Sequence, residues 1–157
     1  MSKSVLRLQD KVNELGSFIS KRTLINTSVS QVSVAWHIEH ALHVLIGVCS
    51  AIKASDPSDF KPNYNLTRIF LFLRGSFPRG QGRAPKVTRP TEEASEEKLK
   101  QLIKRMKVLV DELEALPAKA NFKHPYFGII NKKQTIYFLE LHTKHHLKII
   151  RDMLKKG

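Results

Sequence analysis

Three histidines, His142, His145 and His146, fall within an apolar stripe near the end of the chain, and His37, His40 and His43 fall within an equally apolar earlier stretch. Six of the seven histidines lie in these two clusters. Core positions normally go to hydrocarbon, and imidazole is a common ligand of divalent transition metals. The economical explanation is therefore a metal site clamped between two helices.

Leu139, His142, His146, Ile149 and Met153 follow spacings of three and four, which places His142 and His146 on one inward seam, a turn apart. Two imidazoles so spaced can address a single ion. In the earlier stretch Trp36, His40, His43 and Gly47 share a face, while His37 lies about 60° from His40 by helical rotation. One histidine from this helix completes a three-histidine set, and the spacing alone leaves open which of the three it is. Three neutral imidazoles leave an ion's charge uncompensated and, on a four-coordinate zinc, leave one position open for water or substrate. That is the pattern of a catalytic rather than a structural site, and water bound there has a pKa of about 7. Zinc is the expected metal, although nickel, iron and manganese are also compatible with the ligand type. The bland alternative has each histidine partly buried and hydrogen-bonded to a carbonyl or a neighbour. Two clusters with inward spacing weigh against it, whereas His124, in a loop before a proline, is assigned to that structural role. Glu39 and Glu140 flank the candidate ligands, but helical rotation turns both away from the seam, and no catalytic base is named.

The elements that must position these groups read as helices. Val5, Leu8, Val12, Leu15, Phe18 and Ile19 recur at helical spacing, giving a first amphipathic helix from about Val5 to Ile19. A second helix starts near Ser28 or Ser30, either a plausible N-cap, and runs to about Lys53. It is apolar nearly all round, as expected of a helix packed on several sides. Pro57, Pro62 and the aspartates break it, and Asn65 to Arg74 forms a short helix. Gly75 to Pro90 holds three glycines, three prolines and the basic residues Arg79, Arg83, Lys86 and Arg89, with no acidic residue, so it is a long connection. A third long helix follows Pro90, with Thr91 as N-cap, Glu92, Glu93, Glu96 and Glu97 near the positive end of its dipole, and a core stripe from Leu99 to Leu113. After the turn-rich Asn121 to Gly128, Asn131 and Gln134 have the spacing of a capping box, and the fourth long helix runs to about Lys155. There is no internal repeat and no convincing strand alternation. The expected fold class is all-α: one domain over residues 1–157, a four-helix bundle with one long crossover between the second and third long helices.

Bulk composition agrees. The chain has 157 residues, 41% of them hydrophobic and 26% charged, which suits a single hydrophobic core. Cys49, the sole cysteine, excludes an intrachain disulfide. It lies about 180° around the helix from His40 and roughly 13 Å along it, and reads as a small buried apolar residue. Trp36, one turn before His40, reads as a core residue rather than as a roof over the site. The N-terminal residues lack an apolar block of signal-peptide length and the longest purely apolar run is Ile69 to Leu73, so a cytoplasmic location without membrane insertion is expected. The formal net charge of +13 favours anionic partners without selecting one. Lys144, Lys148, Arg151 and Lys155 form a basic stripe on the last helix, and a non-enzymatic module binding nucleic acid or another polyanion is the rival reading. Without a recognised nucleic-acid motif or interleaved aromatics, a solvated face is the simpler account and nucleic acid is not the expected partner. A metal-free interaction scaffold, with a homodimer through exposed helical faces, is the third reading.

Lys123-His124-Pro125-Tyr126-Phe127-Gly128 followed by Leu141-His142-Thr143-Lys144-His145-His146-Leu147-Lys148 resembles the C-terminal signature of the DUF1569 family in the DinB-like superfamily. Ser33 to His40 looks like that family's second-helix motif, and Pro78-Arg79-Gly80 through Ala84-Pro85-Lys86 like its basic crossover. The resemblance implies a DinB-like bundle of up-down-down-up topology. It also implies a divalent metal held by His40, His142 and His146, with His145 as a neighbour of the ligands. Two departures are the surplus of histidines in the second helix and Ile149 and Ile150 where a glutamine often follows the paired histidines. The superfamily includes metal-dependent transferases and isomerases that use small thiols such as bacillithiol, mycothiol or glutathione. The implied activity is therefore a metal-dependent thiol transferase or hydrolase with a small-molecule substrate and a thiol cosubstrate. In that case the open metal position binds the thiolate and nearby basic residues hold its carboxylates.

Overall fold

A computed structural model describes residues 1–80 and 84–155, so Arg83 of the basic connection lies outside the described residues. The elements are α1 (Lys3–Ser17), α2 (Val34–Lys53), α3 (Leu66–Arg74), α4 (Glu96–Ala115), a hairpin of β1 (Asn121–His124) and β2 (Gly128–Asn131), and α5 (Lys132–Lys155). The four long helices form the bundle, with α1 and α2 each packed against both α4 and α5. The two-stranded antiparallel sheet, pairing Asn121 with Asn131 and His124 with Gly128, corrects the expectation of no strands. Each strand is four residues long, too short for alternation to register, and Pro125 interrupts the sequence between them.

The buried stripes follow helical spacing: Val5, Leu8, Val12 and Leu15 on α1, and Leu99, Ile103, Met106, Val110 and Leu113 on α4. Burying each such side chain contributes about 1.5–3 kcal/mol, which fixes the helix faces more firmly than intrinsic propensity does. By length and composition α2 is apolar enough to cross a bilayer, but most of it is buried inside the bundle, as its all-round apolar pattern implies.

Helix starts differ from expectation in two places. Ser33, not Ser28 or Ser30, caps α2: its Oγ accepts from Trp36 N at 3.2 Å, while Val34 N and Ala35 N donate to Leu24 O and Arg22 O. All three first-turn donors are thereby satisfied without the earlier serines. Ser95, not Thr91, caps α4, with Oγ accepting from Lys98 N at 3.2 Å. Ala94 and Leu99, on either side of that cap, are both buried and have the spacing of a hydrophobic staple, so Glu92 and Glu93 precede the helix and only Glu96 and Glu97 occupy its first turn. The capping box before α5 is present: Gln134 Oε1 accepts from Asn131 N at 3.1 Å and Asn131 Oδ1 accepts from Gln134 N at 3.0 Å.

The hairpin is fastened to α3 by polar contacts. Buried Arg68 donates to Phe127 O at 2.9 Å and to Asn63 Oδ1 at 3.0 Å, and Asn63 Nδ2 donates to Ile129 O at 2.7 Å. Gly128, at φ +69°, makes the turn into β2 where a side chain would meet Asn63 Oδ1 at 3.1 Å. These contacts hold the aromatic residues of the hairpin loop over one end of the α2–α5 seam.

Candidate metal centre

Helices α2 and α5 bring His40, His142 and His146 together, each offering a ring nitrogen within 4.8 Å of the others. Their ring centroids are 4.8–5.3 Å apart. His40 is 4% exposed and His146 6%. Spacing of four puts His142 and His146 on one side of α5, and His40 faces them from α2.

Hydrogen bonds outside the cluster set which ring nitrogen two of the imidazoles present. His40 Nδ1 donates to Thr88 O at 2.8 Å, which leaves the Nε2 lone pair for the site. Thr88 belongs to the basic connection, in a single 3₁₀ turn at Lys86–Thr88, so that segment positions His40. His146 Nδ1 lies 3.0 Å from His37 Nδ1, and His37 Nε2 lies 2.8 Å from Ser30 Oγ. With His146 Nε2 free to face the cluster, its Nδ1–H donates to His37 Nδ1, and His37 Nε2–H donates to Ser30. His142 Nδ1 is buried with no partner in the protein, so it is available to a cation.

Burial keeps the rings neutral. Desolvation lowers His142 and His146 well below the usual histidine value, helped by their mutual repulsion with His40, and burial lowers His37 to about 4. Desolvation lowers His40 as well, opposed by its bond to Thr88. Neutral imidazoles with free lone pairs are what a divalent ion needs, so the residues present fit one.

Other candidates take different places. His43 stands on the cavity wall with Nε2 3.7 Å from Glu39 Oε1, beyond hydrogen-bond reach. Glu39 is buried and paired with Lys98 at 2.5 Å, and Glu140 pairs with Arg7 at 3.1 Å, so both point away from the cluster as rotation requires. His145 lines the cavity beside the cluster and is bonded to the Phe77 backbone. His124 Nδ1 accepts from Tyr126 N and Phe127 N, confirming its structural role, though its ring also lines the cavity. Cys49 is buried, which pushes its thiol up to about 12. Trp36 departs from expectation: it is half-buried and stacked on His40 at 4.9 Å and 20°, on the cavity wall rather than in the core.

Above the histidines lies a cavity of about 620 Å³. Its walls come from α2, α3, the connection, the hairpin loop and α5.

A sequence model of the DinB superfamily matches residues 29–150. The chain belongs to the DinB superfamily. All seven histidines of this DinB-superfamily chain fall within the match, whereas α1 lies outside it. The match is to the superfamily, and the finer DUF1569 grouping rests on the residues quoted above. No curated protein and no solved structure matches the chain. DinB-like proteins often bind a divalent metal, in keeping with the three-histidine cluster.

Proposed function

We propose that this DinB-superfamily protein is a divalent-metal enzyme, a thiol transferase or hydrolase of the bacillithiol or glutathione type, with zinc held by His40, His142 and His146. The observation that carries the reading is the convergence of three neutral imidazoles, two of them fixed in tautomer, at the base of a cavity large enough for a small molecule. When bound, such an ion supplies Lewis acidity that favours the anionic form of a thiol or a water at its open position. Thr88 O and His37 hold two of the rings in the required tautomer. The aromatic walls exclude bulk water and orient the acceptor.

A second, small depression shares Phe77 and His145 with the cavity and is ringed by Arg79, Lys144 and Lys148. This basic rim suits the carboxylates of a thiol cosubstrate. In the transfer, the sulfur–carbon bond forms as the carbon–leaving-group bond breaks, and the thiol proton goes to solvent. A cytoplasmic setting, with small molecules rather than nucleic acid or membrane as partners, completes the proposal.

The test is consumption of 2-mercaptoethanol in the presence of benzyl chloride, and hydrolysis of phenyl acetate without thiol, by zinc-loaded protein. The reading expects acceleration of one of the two, lost on adding chelator and absent in His142→Ala/His146→Ala. Rates equal to the protein-free control in both assays would overturn it.

A further inference from the structure

The wall of the cavity has a composition that narrows its occupant. Six rings, Trp36, Phe77, Phe122, Tyr126, Phe127 and Phe138, line it, together with Val44, Val48, Leu71 and three prolines. Among the described residues that line it there is no aspartate, glutamate, lysine or arginine. The polar groups are the clustered imidazoles, the neighbouring histidines and two threonines. In a chain with 27 lysines and arginines, Arg79, Lys144 and Lys148 line the adjoining rim depression and not the cavity itself.

Apart from an atom bound directly to the ion, a charge moved from water into such a cavity loses its hydration and gains no oppositely charged side chain, so a charged body is disfavoured there. An uncharged aromatic body gains from burial against the rings, in the edge-on and stacked arrangements the walls already show: Phe127 and Phe138 at 80°, His124 and Phe127 at 11°. We infer that the cavity takes an uncharged, aromatic small molecule as the acceptor substrate, leaving the charged parts of any cosubstrate at the basic rim. This rests on the reading proposed above for the site, and adds the chemical class of the molecule on which the site acts.

The chain has a single tryptophan, Trp36, and it stands in the cavity wall, so its indole N–H resonance reports occupancy directly. The experiment titrates ¹⁵N-labelled protein, zinc-loaded and separately chelator-treated, with three probes: 2-naphthamide, 2-naphthylmethylammonium with the same ring system plus a positive charge, and acetamide with the same amide and no ring. The inference expects 2-naphthamide to shift the Trp36 cross-peak saturably in both forms, with a Kd more than about tenfold below those of the other two probes. Binding of either other probe within threefold of 2-naphthamide overturns it, as does 2-naphthamide binding that leaves the Trp36 peak in place. Zinc binding is measured on the same protein by chelator competition. Protein that takes up no zinc yet binds 2-naphthamide selectively contradicts the metal reading alone, and zinc-loaded protein that fails the probe test contradicts the substrate class alone.

Discussion

Replacing His37 by phenylalanine removes the acceptor for His146 while filling nearly the same volume. His37 and His146 are 4% and 6% exposed, and their Nδ1 atoms are 3.0 Å apart, so no solvent stands ready to take over the bond. Without a metal the His146 ring of the variant can carry its proton on Nε2, towards the cavity, and lose little. Binding a cation through Nε2 forces the proton onto Nδ1, against the new phenyl ring. An unpaired buried N–H costs about 1–3 kcal/mol, and that cost falls on the metal-bound state alone. At about 1.4 kcal/mol per tenfold, zinc affinity drops by roughly 5- to 150-fold, in line with the roughly 10- to 100-fold known for removal of a ligand's outer hydrogen-bond partner. Asparagine places an oxygen where His37 has Nδ1, so His37→Asn restores much of the affinity. The assay is competition for zinc against a chromophoric chelator, with thermal unfolding to show that each variant is folded. Zinc affinity of His37→Phe within twofold of the parent would show that His37 does not hold His146 for the metal, and so would a His37→Asn variant as weak as His37→Phe.

Two further outcomes follow from the same structure. Burial lowers His37 and His124 to about 4 and holds His142 and His146 well below 6.5, so the unfolded chain binds more protons than the folded one. Stability is therefore complete above about pH 6.5 and is lost as pH falls from there towards 4; chelator-treated protein should show a falling Tm across that window, and a flat Tm contradicts the burial argument. Gly128→Ala puts a side chain into the left-handed region and 3.1 Å from Asn63 Oδ1, so it should cost about 1–2 kcal/mol and lower Tm by roughly 2–8 °C, while an unchanged Tm shows that the turn is not constrained as described.

The bundle was legible because its long helices carry strong signals: the stripes of α1 and α4, Asn65 before α3, and the Asn131–Gln134 box before α5 all appear in the structure as expected. Sites of helix initiation were less legible, since Ser28, Ser30 and Ser33 are all competent caps and the choice depends on which backbone carbonyls, those of Leu24 and Arg22, meet the first turn. The seam position of His142 and His146 could be read from spacing. The selection of His40 over His37 and His43 could not, because it depends on contacts distant in sequence: Thr88 O for His40, the His146 ring for His37, and Glu39 beside His43. Trp36 was assigned to the core because a large apolar side chain on an apolar helix ordinarily is. Only the placement of the connection and the hairpin loop opens a cavity beside it.

The proposed metal centre requires His40, His142 and His146 to act together on one ion. Its most direct measurement is the zinc content of protein loaded with zinc and then desalted, for the parent and for a His142→Ala/His146→Ala variant shown to be folded. One tightly held zinc per chain is expected in the parent and essentially none in the variant. Equal metal content in the two proteins would contradict it.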